Sequence, residues 1–112
     1  MLCLSMLWRF KRVLMKSGIE RIAEERQRQI EQEGWTFDHD DEYENYELTS
    51  AACCYAQFGY GGPYSHRNSI PPNWPWANKW WKPELDPIRN LEKAGALIAA
   101  EIDRLNRLKS KF

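Results

Sequence analysis

Three stretches of the chain repeat apolar positions at the three-to-four-residue step of an amphipathic α-helix. The first opens at Ser17-Gly18-Ile19-Glu20, where Ser17 as N-cap and Glu20 three residues on form a capping-box pattern. It runs to Glu33, and Gly34 stops it. Ile19, Ile22, Ala23 and Ile30 predict a narrow buried stripe, with Glu24 and Arg28 on a solvated, charged face. In the second stretch Leu48, Ala51, Ala52, Tyr55 and Ala56 share one face, starting near residues 44–47 and ending at Gly59. The third is the longest, with Asp86 as N-cap and Pro87 in the first turn. Ile88, Leu91, Gly95, Ile98, Ile102 and Leu105 then recur at alternating three- and four-residue steps. That seam predicts packing against another helix, either closing a monomeric core or building a homodimer. Gly95 permits close approach of a neighbour, at about 1 kcal/mol in helix propensity. Lys109 and Lys111 suit the carboxyl end.

Two irregular connectors separate these helices. Residues 34–43 are aromatic and acidic, and residues 59–87 hold Gly59, Gly61, Gly62 and all six prolines. A connector that long is unusual in a small domain and is often functional. No β-hairpin signal separates alternating runs. The expected fold is all-α, a small three-helix domain with a long Trp/Pro-rich loop between helices 2 and 3 laid across it.

The first fourteen residues are apolar and basic without an acid. Their charges come too late for a secretory signal. Leu4, Leu7, Trp8 and Val13 opposite Arg9 and Arg12 suit a docked helix or an interfacial anchor; the other reading makes Met15 the initiator. The expected organisation is an extension over 1–14 and one helical domain over 15–112. Sixteen Lys and Arg balance sixteen Asp and Glu, which removes any bulk electrostatic case for nucleic-acid binding. Without Arg9, Lys11 and Arg12 the balance is 13 against 16, a net of −3. No apolar run approaches the roughly 18 residues of a membrane span. Cys3, Cys53 and Cys54 form no C-x-x-C pair and no disulfide framework, so they read as small helix hydrophobes in a reducing cytoplasm.

Between Gln29 and His66 the chain carries eight acids and no Lys or Arg. Such a stretch can be a solvated loop, a Mg²⁺ or Mn²⁺ site, or an acidic face over residues 38–47 that mimics nucleic acid toward a basic partner. The calcium-loop spacing fails: from Asp38, Tyr43 stands where glycine is required and Thr49 where the terminal glutamate belongs. His39-Asp40 matches the His-Asp pair of HD phosphohydrolases, but no histidine precedes it, and His66 lies far downstream. There is no nucleophile elbow, P-loop or dinucleotide-binding glycine pattern. Residues 71–83 are the most distinctive, with four of the six tryptophans within eight positions. They read either as a lid over a thin core or as a stacking surface on which Lys79 and Lys82 hold a phosphate. With Trp35 from the acidic connector, the candidate ligand-binding set is Trp35, Trp74, Trp76, Trp80, Trp81 and Lys82.

Several strings carry a family likeness: Glu24-Glu25-Arg26-Gln27-Arg28-Gln29-Ile30, Glu33-Gly34-Trp35-Thr36, His39-Asp40-Asp41, Trp74-Pro75-Trp76, Trp80-Trp81-Lys82-Pro83 and Lys93-Ala94-Gly95-Ala96-Leu97-Ile98. Together, from about Gly18 to Arg107, they resemble a family of small proteins encoded by tailed phages and prophages. The resemblance implies a phage or prophage origin, a start near Met15 and a setting in the host bacterium's cytoplasm; it brings no established activity. A weaker likeness is to MazG-type all-α nucleotide pyrophosphohydrolases, which hold Mg²⁺ on paired carboxylates of neighbouring helices. It implies Glu24, Glu25, Glu44 and Glu47 as metal ligands, although Ser50 and Ala51 occupy the place of the family's aspartate. The expectation is therefore a non-enzymatic phage accessory protein with no resident cofactor, binding a nucleotide-like small molecule or a host protein in a counter-defence or host-takeover role. The alternatives are Mg²⁺-dependent nucleotide hydrolysis and acidic mimicry of nucleic acid.

Overall fold

A computed structural model of the chain describes residues 16–59 and 69–111. The readings made for residues 1–15, including Cys3 and Met15, and for His66 lie outside the described residues. Among the described residues the fold is all-α, with no strand. Its helices are α1 (Gly18–Glu33), α2 (Phe37–Asp40), α3 (Glu47–Phe58) and α4 (Pro87–Ser110), and the described segment before α4, residues 69–86, is a strap without regular structure apart from one 3₁₀ turn (Asn78–Trp80). The short α2 adds a fourth α-helix to the three read from periodicity. A single turn is too short to show a period, and its signal is the cap: the Thr36 side chain accepts from the His39 N–H.

The other helix ends follow local chemistry. The Ser17 hydroxyl accepts from the Glu20 N–H at 3.2 Å and donates back to the Glu20 carboxylate at 3.3 Å. Gly34 closes α1 at φ +72°, a left-handed conformation that favours glycine. Asp86 accepts from the Ile88 N–H at 2.9 Å ahead of Pro87. Tyr46, before α3, adopts φ +65° without being glycine.

The core forms where α3 packs on α4 beneath the strap. Leu48, Ala51, Ala52, Cys54 and Tyr55 meet Ala94, Leu97 and Ala100, and Trp74 and Trp81 close over them. The expected face of α3 is buried except for Ala56; Cys54 is buried, whereas Cys53 faces solvent.

Two expected faces are buried less than the pattern predicts. The α4 seam is open to solvent: Ile88, Leu91, Ile98, Ile102 and Leu105 are all exposed. The buried face of α4 carries alanines, Leu97 and the polar side chains Asn90, Glu92, Lys93, Glu101 and Arg104. Small residues let the helices approach closely, so the long aliphatics point elsewhere. On α1 the stripe is covered only in part: Ile19 is 81% exposed and Ala23 is exposed, Ile22 and Ile30 are half-buried, and the fully buried side chains are Glu25, Arg26 and Gln29. The α1–α4 contact is an ion-pair ladder, Arg21 to Glu92 at 3.2 Å and Arg89 to both Glu25 and Glu92 at 2.8 Å. At its centre Ile22 lies over Gly95, so close that a Cβ there would fall 2.5 Å from the isoleucine Cδ1.

Candidate functional site

The four elements and the strap enclose a cavity of about 560 Å³, within the range of small-molecule sites. Its α1 wall is Glu25, Arg28, Gln29 and Glu33, which the 3.6-residue period places on one side of that helix. Trp35, His39 and Tyr43 come from α2 and its flanks, Leu48 and Tyr55 from α3, and Lys93 and Leu97 from α4. The strap adds Trp74, Trp76, Ala77, Trp80 and Lys82.

Trp35, His39, Tyr43, Tyr55, Trp74 and Trp76 form one connected cluster of rings. Trp76 contacts Trp35 at 6.2 Å, Tyr43 at 5.1 Å and Trp74 at 5.4 Å between centroids, and Trp74 meets Tyr55 edge-on at 5.7 Å. Hydrogen bonds fix several of them. The Trp74 indole N–H donates to the Ala77 carbonyl at 3.1 Å, and the Tyr55 hydroxyl accepts from the Lys82 N–H at 3.3 Å. Burial pushes the Tyr55 phenol up to about 12, outweighing the lowering by that hydrogen bond. His39 bridges Asp40 at 3.5 Å and the Tyr43 hydroxyl at 3.3 Å. Asp40 is fully buried on Arg26 at 2.9 Å, and burial raises its pKa despite Arg26 and His39.

The polar floor is already organised. Glu25 Oε1 accepts from Arg28 Nε and Arg89 Nη2, both at 2.8 Å; Oε2 accepts from Arg28 Nη2 at 2.7 Å and Gln29 Nε2 at 3.1 Å. Four donors fill the roughly four lone-pair sites of a carboxylate. Burial raises the Glu25 pKa, but Arg28 and Arg89 overcome that and bring it to about 2. Arg28 also holds Glu33 at 3.0 Å, and Lys93 donates to the Lys82 carbonyl at 2.8 Å and to Glu84 at 3.1 Å. At the outer end the ammonium groups of Lys79 and Lys82 lie 5.0 and 5.5 Å from the centre of the half-exposed Trp80 ring. Two polar atoms of cavity-lining side chains, Gln29 Oε1 and Trp76 Nε1, are buried without a hydrogen-bond partner. Glu25 is acceptor-only, so the Gln29 amide nitrogen must face it and the oxygen must face away.

Of the candidate ligand-binding residues, Trp35, Trp74, Trp76, Trp80 and Lys82 border this one cavity. Trp81 does not: it is buried in the core, 4.8 Å from Tyr55 and 5.1 Å from Trp74, because its place after the 3₁₀ turn points it at α3. The structure does not assemble the four carboxylates of the metal reading. Glu24 is exposed and paired with Lys16, Glu25 is saturated by arginines, Glu44 is exposed, and Glu47 accepts from the Asn45 N–H. Among the described residues no three His, Cys, Asp or Glu side chains converge where a metal could sit. The acidic connector is partly consumed internally as well, Asp40 by Arg26 and Asp41 by Arg107 at 2.7 Å. Sequence reasoning missed Arg28, Gln29, His39, Tyr43, Tyr55 and Lys93 as cavity residues. Only the α1 group carried a usable signal, its polar i, i+3, i+4 spacing. Among the described residues no helix is long and apolar enough to cross a membrane. Comparison with protein-family models, curated proteins and solved structures finds no match to this chain.

Proposed function

We propose that the protein is a non-enzymatic binding protein whose ring-lined cavity takes a nucleotide-like ligand. The three long helices serve as scaffold and the Trp/Pro-rich strap as the ligand-contacting element. The observation that carries this reading is the confluence of Trp35, Tyr43, Trp74, Trp76 and Trp80 with Arg28 and Lys82 around one cavity. Indole faces stack a planar base, and the cations at the rim attract its phosphate. Glu25 supports binding rather than turnover, since its lone pairs are engaged and none is left to hold a metal or take a proton. In the phage or prophage setting implied by the sequence resemblance, this is an accessory protein that sequesters or senses a nucleotide of the host cytoplasm.

Titration calorimetry of the full chain against nucleoside mono-, di- and triphosphates and cyclic nucleotides tests this, with tryptophan fluorescence as a second readout. Trp80→Ala removes a half-exposed ring without opening the core. A stacked base contributes about 1–3 kcal/mol, so the variant should weaken binding by roughly fivefold to more than a hundredfold. Lys82→Ala should lower affinity for the phosphorylated ligand while leaving the nucleoside unaffected. No heat and no quenching across the panel would end the nucleotide reading.

A further inference from the structure

The open seam of α4 is a separate feature from the cavity. Ile88, Leu91, Ile98, Ile102, Leu105 and Leu108 are each between 42% and 54% exposed, on one side of a 24-residue helix. Leu85, just before the helix, is 83% exposed. The six seam side chains leave on the order of 500 Å² of aliphatic surface on each copy, most of the ~800 Å² that one partner contributes to a standard interface. With Gly95 between Leu91 and Ile98, the steps from Ile88 to Leu105 alternate three and four, the a/d spacing of a two-helix seam, whereas a scattered set of exposed aliphatics has no such period.

We propose that this face is a self-association surface, on which α4 of a second copy packs antiparallel. Running the helix against itself with a positions facing d positions places Ile88 against Leu105 of the other copy and Leu91 against Ile102, and at the centre brings Ile98 to the Ile22 side chain that covers the other copy's Gly95. Every half-exposed aliphatic between residues 88 and 105 then has an apolar counterpart, over about 26 Å of helix. The end carrying Leu85 comes to the other copy's Leu108. Charge agrees with that direction: Asp86 stands at the amino-terminal end of α4 and Lys109 and Lys111 at the carboxyl end, so antiparallel pairing sets opposite charges and opposite helix dipoles side by side. A parallel pairing would set like ends together. Ile19, exposed one turn before the Ile22 that covers Gly95, extends the apolar face onto α1.

Sedimentation equilibrium of the full chain at tens of micromolar tests the surface. The expected result is a dimer, with Ile98→Glu and Ile102→Glu each sedimenting as monomers of unchanged far-UV circular dichroism. A monomeric wild type overturns the proposal. So does a dimer that survives both substitutions, which would place the contact elsewhere, residues 1–15 included. Direction is read by oxidative cross-linking with Cys3, Cys53 and Cys54 replaced by Ala. Leu91→Cys mixed with Ile102→Cys should cross-link, and Leu91→Cys alone should not. Efficient cross-linking of Leu91→Cys with itself overturns the antiparallel arrangement.

Discussion

Glu25 offers the most exacting test of the structure, because two independent perturbations must remove the same free energy. Its carboxylate is 1% exposed and accepts from Arg28, Gln29 and Arg89, joining two turns of α1 to the start of α4. Glu25→Gln keeps the shape and removes the charge. The amide oxygen still accepts from two donors, but the NH₂ in place of the other oxygen faces N–H groups that it cannot accept from. Breaking a buried pair from one side destabilises by about 3–5 kcal/mol. Arg28 and Arg89 are about one-third exposed and keep Glu33 and Glu92, which places the expected loss at the lower end, roughly 3 kcal/mol.

Acid provides the second perturbation. The folded pKa of about 2 lies below the ordinary 4.5, and a difference of that size is worth about 3 kcal/mol. A depressed carboxylate pKa gives stability that is present above the unfolded value and lost as pH falls toward the folded one. The free-energy difference between wild type and Glu25→Gln should therefore be full at pH 7, begin to shrink below about pH 4.5 and approach zero near pH 2. Taking the difference cancels Asp40, whose pKa is raised and whose contribution runs the other way, and Asp41, which Arg107 lowers. Urea unfolding followed by circular dichroism measures it at each pH. A difference below about 0.5 kcal/mol at pH 7, the ordinary range of surface substitutions, or one that stays constant with pH, would refute the reasoning.

Three other outcomes follow from single contacts. Asn90 ties the end of α3 and the strap to α4, its amide donating to the Gly59 and Glu84 carbonyls and accepting from the Glu84 N–H; Asn90→Ala should destabilise by about 2–4 kcal/mol in urea titration, since it strands buried backbone groups. Cys53 is exposed, whereas Cys54 is buried, donates to the Asn73 side chain at 3.2 Å and is held by burial at about 11. Mass spectrometry after brief alkylation near pH 8 should find Cys53 modified and Cys54 protected until the protein unfolds, and equal labelling would contradict that burial. Trp81→Ala should lower stability by about 3–5 kcal/mol as a core ring, while Trp80→Ala should change stability by less than about 1 kcal/mol and act on ligand affinity instead; thermal melts of the two should separate accordingly.

Helix existence was readable because caps and period agree locally: Ser17 with Glu20, Gly34, and Asp86 with Pro87 need nothing from the rest of the chain. Helix facing was not, because it depends on which partner each side meets. Periodicity marks an apolar face but does not say whether that face is covered by the same chain. On α4 two faces compete, one of long aliphatics at a/d spacing and one of alanines with Leu97, and the intrachain core takes the second. On α1 the polar side wins because Glu25 finds donors on α4, and Arg89 lies 64 residues away in sequence. The cavity was legible in part for the same reason. The tryptophans announce themselves by density, but Lys93 and Tyr55 join them only after α3 and α4 pack. Trp80 and Trp81, adjacent in sequence, diverge to rim and core because one 3₁₀ turn separates their directions. The α4 seam shows both halves of that rule: α1 covers it at Gly95, where Ile22 sits, while its aliphatics stay about half exposed, because the intrachain core is built on the neighbouring face of small residues.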